Sequence, residues 1–474
     1  MSMKSERQKF HPLAMMVYFI RDLKAWIFLF VLLFVDLDGD SLYPIIAMSA
    51  IVIFISVKSG IKYLTHTYAL TSDHIILYKG IFNKRETEIT YERIQTVKQR
   101  QWFFFKPFDI TEVLIETASS SPGEAEASLT AVNQNIMQTI ERYRSKSADT
   151  PAKDTESPDN TFKLSLKDVV LFGLTDLTAI LIVFTAFTFV LEWLPDRLFS
   201  NLVSLVGNIQ GVLIVGVVFL GIVIVAGLSL LKSFLLFYDY RAQRDHDTLT
   251  ISYGLFERKT QKIPLSKIQG IKVNKQILRN LFKRSSVELV IMGGQESEGE
   301  SLTIKKVYLF PLISNEQVYT RLNQFIPDRK VVEPKVKKVS TDKVWYFWRW
   351  KLLTGVPLIA IAFYFNMLVG IAALLLFLTV LLLSWKKSQV QGYTVQDNRL
   401  LCLQQFEGFT TVQFFILQKN VQALSYSTSL GLIRKNIGHI DLTFKENEHP
   451  MSYGMRYISE TVTKDIHHTF WNAS

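Results

Sequence analysis

The stretch "IPLSKIQGIKV" (Ile263–Val273) decides the fold, because two further versions of it occur in the same chain. An earlier version reads "ITYERIQTVKQ" (Ile89–Gln99), and a degraded later version reads "ILQKNVQ" (Ile416–Gln422). In each case a Phe that closely follows a glycine precedes the Gln by 13 residues, which indicates an internal repeat. The pairs predicted to be equivalent core positions are Phe82 and Gln95, Phe256 and Gln269, and Phe409 and Gln422.

The residues around each version alternate between polar and apolar types, with glycines between the alternating runs, as in "TYALTSDHIILYKGIF" (Thr67–Phe82). This pattern predicts short antiparallel strands. Amphipathic stretches at residues 128–143, 314–325 and 459–471 predict a helix at the end of each repeat.

Three regions are too apolar for ordinary core helices: Ala25–Val57, Val169–Leu231 and Leu352–Trp385. A membrane-spanning helix needs about 20 apolar residues. Each region is therefore predicted to form two spanning helices joined by a short turn, giving an α+β membrane protein with six transmembrane helices in three hairpins. A shallow re-entrant hairpin is the alternative for the first and third regions.

The turns of these regions carry almost no basic residues, since the first holds three aspartates and the second only Arg197. The positive-inside rule then predicts a multi-pass protein of the plasma membrane with both termini cytoplasmic. The predicted segments are a cytoplasmic N-terminus (1–20), a first hairpin (21–57), a first domain (58–144), a disordered linker (145–160), a second hairpin (165–231), a second domain (232–326), a basic linker (327–344), a third hairpin (345–385) and a divergent third domain (386–474).

The formal net charge of +11 suits nucleic acid or an anionic membrane surface, and composition alone does not choose between them. The basic linker ends beside the third apolar region, which favours contact with anionic lipid head groups. The alternative is that its lysines only enforce topology. The predicted lipid-contacting residues are Lys330, Lys335, Lys337 and Lys338.

Catalytic signatures are absent from the sequence: no P-loop, dinucleotide fingerprint, HExxH or GxSxG motif occurs. We therefore expect neither an enzyme nor a cofactor or metal. Asp176 is the one carboxylate deep in a predicted span, and such residues are candidate functional sites. The alternative is that Asp176 is protonated, hydrogen-bonded to Thr175 or Thr178, or packed against another hairpin.

The segment "YGLFERKTQKIPLSKIQGIKVNKQILRNLFKRSSVELVIMGG" (Tyr253–Gly294) resembles the bacterial pleckstrin-homology (PH) domain membrane proteins of the YdbS/YdbT family. The chain length and the threefold layout are YdbT-like. The resemblance implies, for each repeat, a cytoplasmic PH-like barrel of seven strands in two sheets, closed by a C-terminal helix. Tyr91 in the first repeat and Leu417 in the third stand where the family prefers proline. The third repeat departs most, since it also lacks the basic residue before Val421 and Gln422.

Together these patterns predict a non-enzymatic membrane scaffold that assembles with a partner in envelope maintenance or in defence against membrane-active agents. The expected partners are the lipid bilayer and either a smaller YdbS-like membrane protein or a second copy, and no nucleic acid. An anionic-lipid sensor and a transporter that uses Asp176 are the alternatives.

Overall fold

The fold is described from a computed structural model. The structure describes residues 7–35, 43–80, 84–117, 127–147, 161–176, 212–291, 306–397, 399–446 and 449–471. Contacts divide the chain into two compact units, with a boundary between Ile263 and Pro264. The predicted linker 145–160 lies almost wholly outside the described residues.

Six of the described helices contact each other in sequential pairs, α1 with α2, α4 with α5 and α8 with α9. They are α1 (Ala14–Val35), α2 (Tyr43–Thr65), α3 (Ile136–Ser147), α4 (Leu166–Thr175), α5 (Val212–Phe237), α6 (Ile277–Leu281), α7 (Val318–Phe325), α8 (Val344–Phe365), α9 (Met367–Val390), α10 (Leu430–Ile433) and α11 (Glu460–Ile466).

The described strands are short and antiparallel, as the alternating sequence predicts. They are β1 (Gln8–Lys9), β2 (Thr67–Leu70), β3 (His74–Lys79), β4 (Arg85–Thr90), β5 (Ile94–Trp102), β6 (Ile110–Thr117), β7 (Ala127–Asn133), β8 (Thr161–Lys163), β9 (Arg241–Asp245), β10 (Thr248–Tyr253), β11 (Glu257–Pro264), β12 (Ile268–Gln276), β13 (Arg284–Ile291), β14 (Val307–Ser314), β15 (Lys337–Lys338), β16 (Gly392–Gln396), β17 (Leu400–Glu407), β18 (Thr410–Leu417), β19 (Val421–Ser427), β20 (Ile437–Glu446) and β21 (His449–Ser459).

The same order of elements occurs three times along the chain. A short strand precedes two helices, three strands follow, a single turn of 3-10 helix comes next, and three more strands and a helix complete the repeat. The 3-10 turns are Tyr91–Arg93, Leu265–Lys267 and Gln418–Asn420. The third repeat therefore keeps the element order of the other two, although its sequence diverges most.

The sheets do not follow the boundaries of the repeats. Their strand orders are β1-β2-β3-β4, then β7-β6-β5-β11-β10-β9-β8, then β14-β13-β12-β18-β17-β16-β15, and finally β19-β20-β21. Each seven-stranded sheet thus joins the last three strands of one repeat to the first four strands of the next. We call the pairing of β5 with β11 the first junction and the pairing of β12 with β18 the second junction.

The core of each compact unit is apolar. In the first unit, Val97, Val113 and Tyr91 belong to a buried cluster that also takes in the start of α1. In the second unit, Phe414 and Phe444 lie in a buried cluster that includes residues of α11. Burial of these aliphatic and aromatic side chains is the main term that stabilises the sheets.

The prediction of six transmembrane helices in three hairpins is wrong. Within the described part of the chain, two helices are long and apolar enough to cross a membrane, Tyr43–Thr65 and Val369–Val390. Composition explains why α1 and α8 do not qualify. Arg21, Asp22 and Lys24 interrupt α1, and Arg349 and Lys351 interrupt α8. The residues that were predicted to form the first and second turns lie outside the described ranges.

The charges of α1 have protein partners. Arg21 forms an ion pair with Glu112 of β6, and the Lys62 ammonium of α2 lies 3.0 Å from the Asp22 carboxylate. A helix whose charged turn is bound to a sheet presents only Ala25–Val35 as a continuous apolar segment. This segment is shorter than the apolar length that a bilayer requires.

Candidate functional site

The three repeat glutamines lie at equivalent backbone irregularities. Each is the extra residue of a β-bulge and lies two residues after the end of the 3-10 turn. The strand register shifts there between Ile94 and Thr96, between Ile268 and Gly270, and between Val421 and Ala423. A bulge of this kind bends a strand and increases its twist. The repeated Gln therefore marks the bend at which the second half of each repeat begins.

The side chain of Gln269 is buried, whereas that of Gln422 is exposed. The carbonyl of Gln269 accepts hydrogen bonds from Asn420 Nδ2 at 2.7 Å and from Arg329 Nη1 at 3.3 Å. Arg329 is itself buried, and burial lowers its pKa to about 10. The bulge thus creates acceptor positions that the following segments use.

The prediction that the repeat phenylalanines are core residues is wrong for two of the three. Phe256 is 56% exposed and Phe409 is 43% exposed, while Phe82 lies outside the described residues. Both exposed residues stand at a hairpin tip, and their backbone makes the equivalent contact. The Phe256 carbonyl accepts from Phe103 N at 2.7 Å, and the Phe409 carbonyl accepts from Ile277 N at 2.9 Å.

The first junction places charged residues opposite one another on a single face of the sheet. Lys259 pairs with Arg100, and Gln261 pairs with Lys98. Because side chains alternate along a strand, these four residues point to the same side. Lys98 is 7% exposed and Arg100 is 4% exposed, so the sheet buries cationic groups at this position.

Carboxylates offset part of this charge. Arg100 Nε lies 2.6 Å from Glu257 Oε1, and Arg100 Nη1 lies 3.9 Å from Glu112 Oε2. Glu112 also accepts hydrogen bonds from Arg21 and from the Ser128 hydroxyl, the latter at 2.7 Å. This network connects α1 to the sheet at the first junction.

The protonation of Glu112 follows from its partners. Burial raises the pKa of this carboxyl, but the Arg21 and Arg100 guanidiniums and the Ser128 hydroxyl lower it, and the net pKa lies below its ordinary value. Glu112 is therefore ionised in the folded protein near neutral pH. A fully buried charge of this kind is tolerated only when it is paired.

A cleft opens on this face between β5, β10 and β11. It is shallow and partly open to solvent. Its described lining includes three basic side chains and no acidic one. The lining residues are Lys98, Gln99, Arg100, Leu114, Tyr253, Lys259, Thr260 and Gln261. The Gln261 amide nitrogen is buried and has no hydrogen-bond partner among the residues that the structure describes.

Sequence reasoning missed this cleft because its residues come from two different repeats. Lys98 and Lys259 read as ordinary polar positions of alternating strands. The sequence does show basic residues on one face of "TVKQR" (Thr96–Arg100). It does not show which strand pairs with this segment.

The predicted lipid-contacting lysines lie in an ordered segment. Lys337 and Lys338 form β15 and pair with Tyr393 and Gly392 of β16. The Lys337 ammonium lies 3.1 Å from the Asp465 carboxylate. All four predicted lysines, Lys330, Lys335, Lys337 and Lys338, are exposed, and their contact with lipid stays a prediction.

Asp176 directly follows the last residue of α4, Thr175, and is partly exposed. Residues 177–211, which were predicted to complete the span around it, lie outside the described ranges. Nothing in the described contacts assigns Asp176 a transport role. Across the described residues there is also no group of three or more His, Cys, Asp or Glu placed to hold a metal ion.

Comparison with known families accounts for the repeat. The model of the bacterial PH domain matches residues 25–148 and 169–318, which is more than half of the chain. The chain belongs to the bacterial PH domain family. Both matched segments begin within a predicted apolar region and extend through the sheet strands that follow it. The third repeat, whose sequence diverges most, lies outside the matched residues.

A relative extends the similarity over the full length. The chain is 24% identical, over 489 aligned residues, to the UPF0699 transmembrane protein YdbT of Bacillus subtilis (strain 168), with 97% of each chain covered. This confirms the YdbT-like resemblance and identifies a membrane protein of the bacterial PH domain family. No solved structure matches the chain significantly.

Proposed function

We propose that this membrane protein is a non-enzymatic scaffold that assembles by pairing the edge strands of its PH-like repeats. The observation that carries the proposal is the sharing of sheets between successive repeats. The chain uses one type of strand pairing twice internally, and its first and last repeats present the two strands that such a pairing needs.

The two internal junctions have the same register. Counted from the bulged glutamine, Lys98 and Lys272 are equivalent, and each lies three residues beyond it. Lys98 pairs with Gln261, and Lys272 pairs with Phe414, which occupies the position equivalent to Gln261. The same strand register thus occurs at both junctions although the side chains differ. The register is therefore a property of the repeat's backbone.

The terminal strands have no such neighbour among the described strands. β4 is equivalent to β11 and β18 but pairs only with β3, and β19 is equivalent to β5 and β12 but pairs only with β20. Free edges of this kind are templates for strand addition by another chain. In the equivalent register, Ser425 of one copy would face Thr87 of another.

The exposure of these strands supports the proposal. Ser425 and Ser427 of β19 are exposed, whereas the equivalent Lys98 and Arg100 of β5 are buried. In the proposed pairing Arg85 faces Ser427, so no like charges oppose each other directly. We infer a second copy of the chain as the partner, with the sheet units on the cytoplasmic side where basic residues concentrate.

Cross-linking between two differently tagged copies tests the proposal. One copy carries Thr87→Cys and the other carries Ser425→Cys. Directly opposed residues of an antiparallel pair have Cα atoms about 4.5–5.5 Å apart, which a disulfide can bridge. We expect a covalent heterodimer in membranes under mild oxidation. The native Cys402 is fully buried, and burial raises its pKa, so it should not contribute.

The matched control replaces Thr87→Cys by Glu88→Cys, which points to the opposite face of β4. It should give little cross-link. A failure of both pairs to cross-link, together with no co-purification of the two tags, would exclude assembly of copies through these edges. Co-purification of a smaller relative instead would show that the edges serve that partner.

A further inference from the structure

Each compact unit exposes a small apolar surface, which we call its apolar tip. Each tip combines the Phe at a hairpin tip with the apolar residues of the helical turn that follows the bulged strand of the preceding repeat. The first apolar tip consists of Phe103, Phe108 and Phe256, and the second consists of Ile277, Leu281, Phe282 and Phe409. All seven side chains are exposed. Exposed apolar residues that cluster, unlike single ones, mark interaction sites.

The backbone joins the two parts of each tip. Phe103 N donates to the Phe256 carbonyl at 2.7 Å, and Ile277 N donates to the Phe409 carbonyl at 2.9 Å. In the first tip the Phe103 and Phe256 rings also meet edge to face, with their centroids 6.0 Å apart. One tip is purely aromatic and the other also contains aliphatic residues, so the shared property is apolar character and not a particular side chain.

Hydrogen bonds hold the first tip at the end of an apolar helix. Gly254 N donates to the Tyr238 carbonyl at 2.9 Å, and Leu255 N donates to the Leu235 carbonyl at 3.1 Å. Leu235 lies in the last turn of α5, a helix that contains a single charged residue. The hairpin tip that carries the exposed Phe is therefore fixed where this apolar helix ends.

A second contact ties the first tip to α1. Trp102 directly precedes Phe103, and its ring centre lies 5.5 Å from the Lys24 ammonium. Lys24 stands at the boundary between the charged turn of α1 and its apolar segment Ala25–Val35. The first tip thus lies close to the level at which α1 becomes apolar.

The second tip lies near the end of α9. The Gln404 amide of β17 donates to the Val390 carbonyl, the last residue of α9, at 2.9 Å. Gln404 pairs with Gly392, the first residue of β16, so the rest of β17 continues past β16 towards the tip at Phe409. β17 also contacts α9 directly.

The end of α9 has the composition of a membrane boundary. This helix contains Val369–Val390, which is long and apolar enough to cross a bilayer. Its last turns carry Trp385, Lys386 and Lys387, and tryptophan and lysine are enriched where a spanning helix leaves the lipid. The second tip therefore lies near the level at which this helix would meet the head groups.

The charges of the tips suit a lipid surface. The helical turns Phe103–Phe108 and Ile277–Leu281 contain basic residues and no acidic one. Lys106 of the first turn and Lys283, two residues after the second, are exposed. Apolar residues beside basic ones are typical of segments that lie in the membrane interface, since the ammonium can reach the head groups while the apolar side chain enters the lipid.

We propose that the two apolar tips insert into the head-group region of the bilayer and act as interfacial anchors of the two sheet units. The partner is the lipid surface itself, because each tip adjoins the end of an apolar helix. The anchors do not use the edge strands, so they are independent of the proposed assembly of copies. They also differ from a contact through the basic linker, since salt screens charges but not apolar insertion.

Spin labels on the full-length protein in nanodiscs of phosphatidylcholine and phosphatidylglycerol test the proposal. Phe103→Cys carries the label on the first tip, and Leu281→Cys carries it on the second. Leu281 is 75% exposed and Phe103 is 55% exposed, so each label replaces a surface side chain. Collisions with oxygen, which concentrates in lipid, should be frequent, and collisions with a water-soluble nickel chelate should be rare. The ratio of the two collision rates should not change when salt is raised.

The matched controls carry the label at the opposite end of the strand that leads to each tip. Asp247→Cys directly precedes β10, Arg399→Cys directly precedes β17, and both positions are exposed. Their ratio of oxygen to nickel collisions should be several-fold lower than at the tips. The native Cys402 is fully buried, and burial raises its pKa, so it should remain unlabelled.

Two results would overturn the proposal. Nickel collisions at the tips as frequent as at the controls would place the tips in water, and low collision rates with both reagents would show that protein covers them. Phe282→Asp, added to labelled Leu281→Cys, is the second variant. It should lower the ratio of oxygen to nickel collisions, because a carboxylate is costly to place in lipid. An unchanged ratio would also overturn the proposal.

Discussion

The two junctions share a backbone arrangement and differ in what fills it. In both, a strand that follows a bulged glutamine pairs with the hairpin strand of the next repeat. The first junction carries Lys98, Lys259 and a paired Glu112, whereas the second carries Phe414 against Phe444. The comparison teaches that backbone pairing sets the register and that side chains decide between a charged cleft and an apolar core.

Gly270 reflects the same difference between the two junctions. A Cβ at Gly270 would lie 2.4 Å from the Phe414 ring, so only glycine fits there. The equivalent position in the first repeat is Thr96, opposite a strand that carries Gln261 instead of Phe.

The largest loss of stability should come from removing the aromatic ring that fills the second junction. Phe414→Ala removes a fully buried ring, and such changes typically cost about 3–5 kcal/mol. Gln261→Ala at the equivalent position of the first junction should cost much less, about 1 kcal/mol, since its amide nitrogen makes no hydrogen bond to any described residue. Hydrogen exchange of peptides from β12 and β5 in the full-length protein measures both. Equal losses of protection would contradict the distinction between the two junctions.

Removing the carboxylate of Glu112 from its ion pairs should cause the next largest loss of stability. Glu112→Gln leaves Arg21 and Arg100 without their shared carboxylate, and removing one partner of a buried ion pair costs about 3 kcal/mol or more. The equivalent residue of the second junction is Ser286, and Ser286→Ala should cost about 1 kcal/mol. Proteolysis of the first unit reports the change. A Glu112→Gln variant as resistant as the wild type would show that the network adds no stability.

Substitution of Gly270 should be destabilising only while the Phe414 ring is present. Gly270→Thr forces a Cβ into Phe414 and should destabilise the second unit by about 1–3 kcal/mol through overpacking. Combined with Phe414→Gln, the same substitution should cost less than the sum of the two single changes, because residues in contact are coupled. Additive losses in hydrogen-exchange protection would mean that the contact does not explain the glycine.

The smallest effect is an acid sensitivity confined to the first junction. Because the pKa of Glu112 is lowered in the folded state, its ionisation stabilises the fold at pH values above the ordinary carboxyl pKa. This contribution is lost as the pH falls below about 4.5 and through the lowered folded-state pKa. The slope of stability against pH in this range should be smaller in Glu112→Gln. An unchanged slope would assign the acid sensitivity to other carboxylates.

Several features of the protein follow from the sequence alone. The constant distance between a Phe and the following Gln95, Gln269 or Gln422 revealed a repeat. In the structure these three glutamines lie at equivalent bulges. The alternation of polar and apolar residues predicted strands, and the segment Tyr253–Gly294 carried the family resemblance. These signals are local, because a bulge, an alternation and a motif each depend on residues close together in the chain.

Other features depended on tertiary structure. Strands pair through backbone hydrogen bonds, which leave no mark in the side-chain sequence, so the sharing of sheets between repeats was not visible. The same reason explains why Phe256 and Phe409 were misplaced, since their carbonyls and not their rings make the recurring contact. The first hairpin was predicted to begin at residue 21, at the charges of α1, because their partners, Glu112 among them, are distant in sequence. The cleft at Gln261 exists only once β5 and β11 are side by side, because each of these strands supplies three of its eight lining residues.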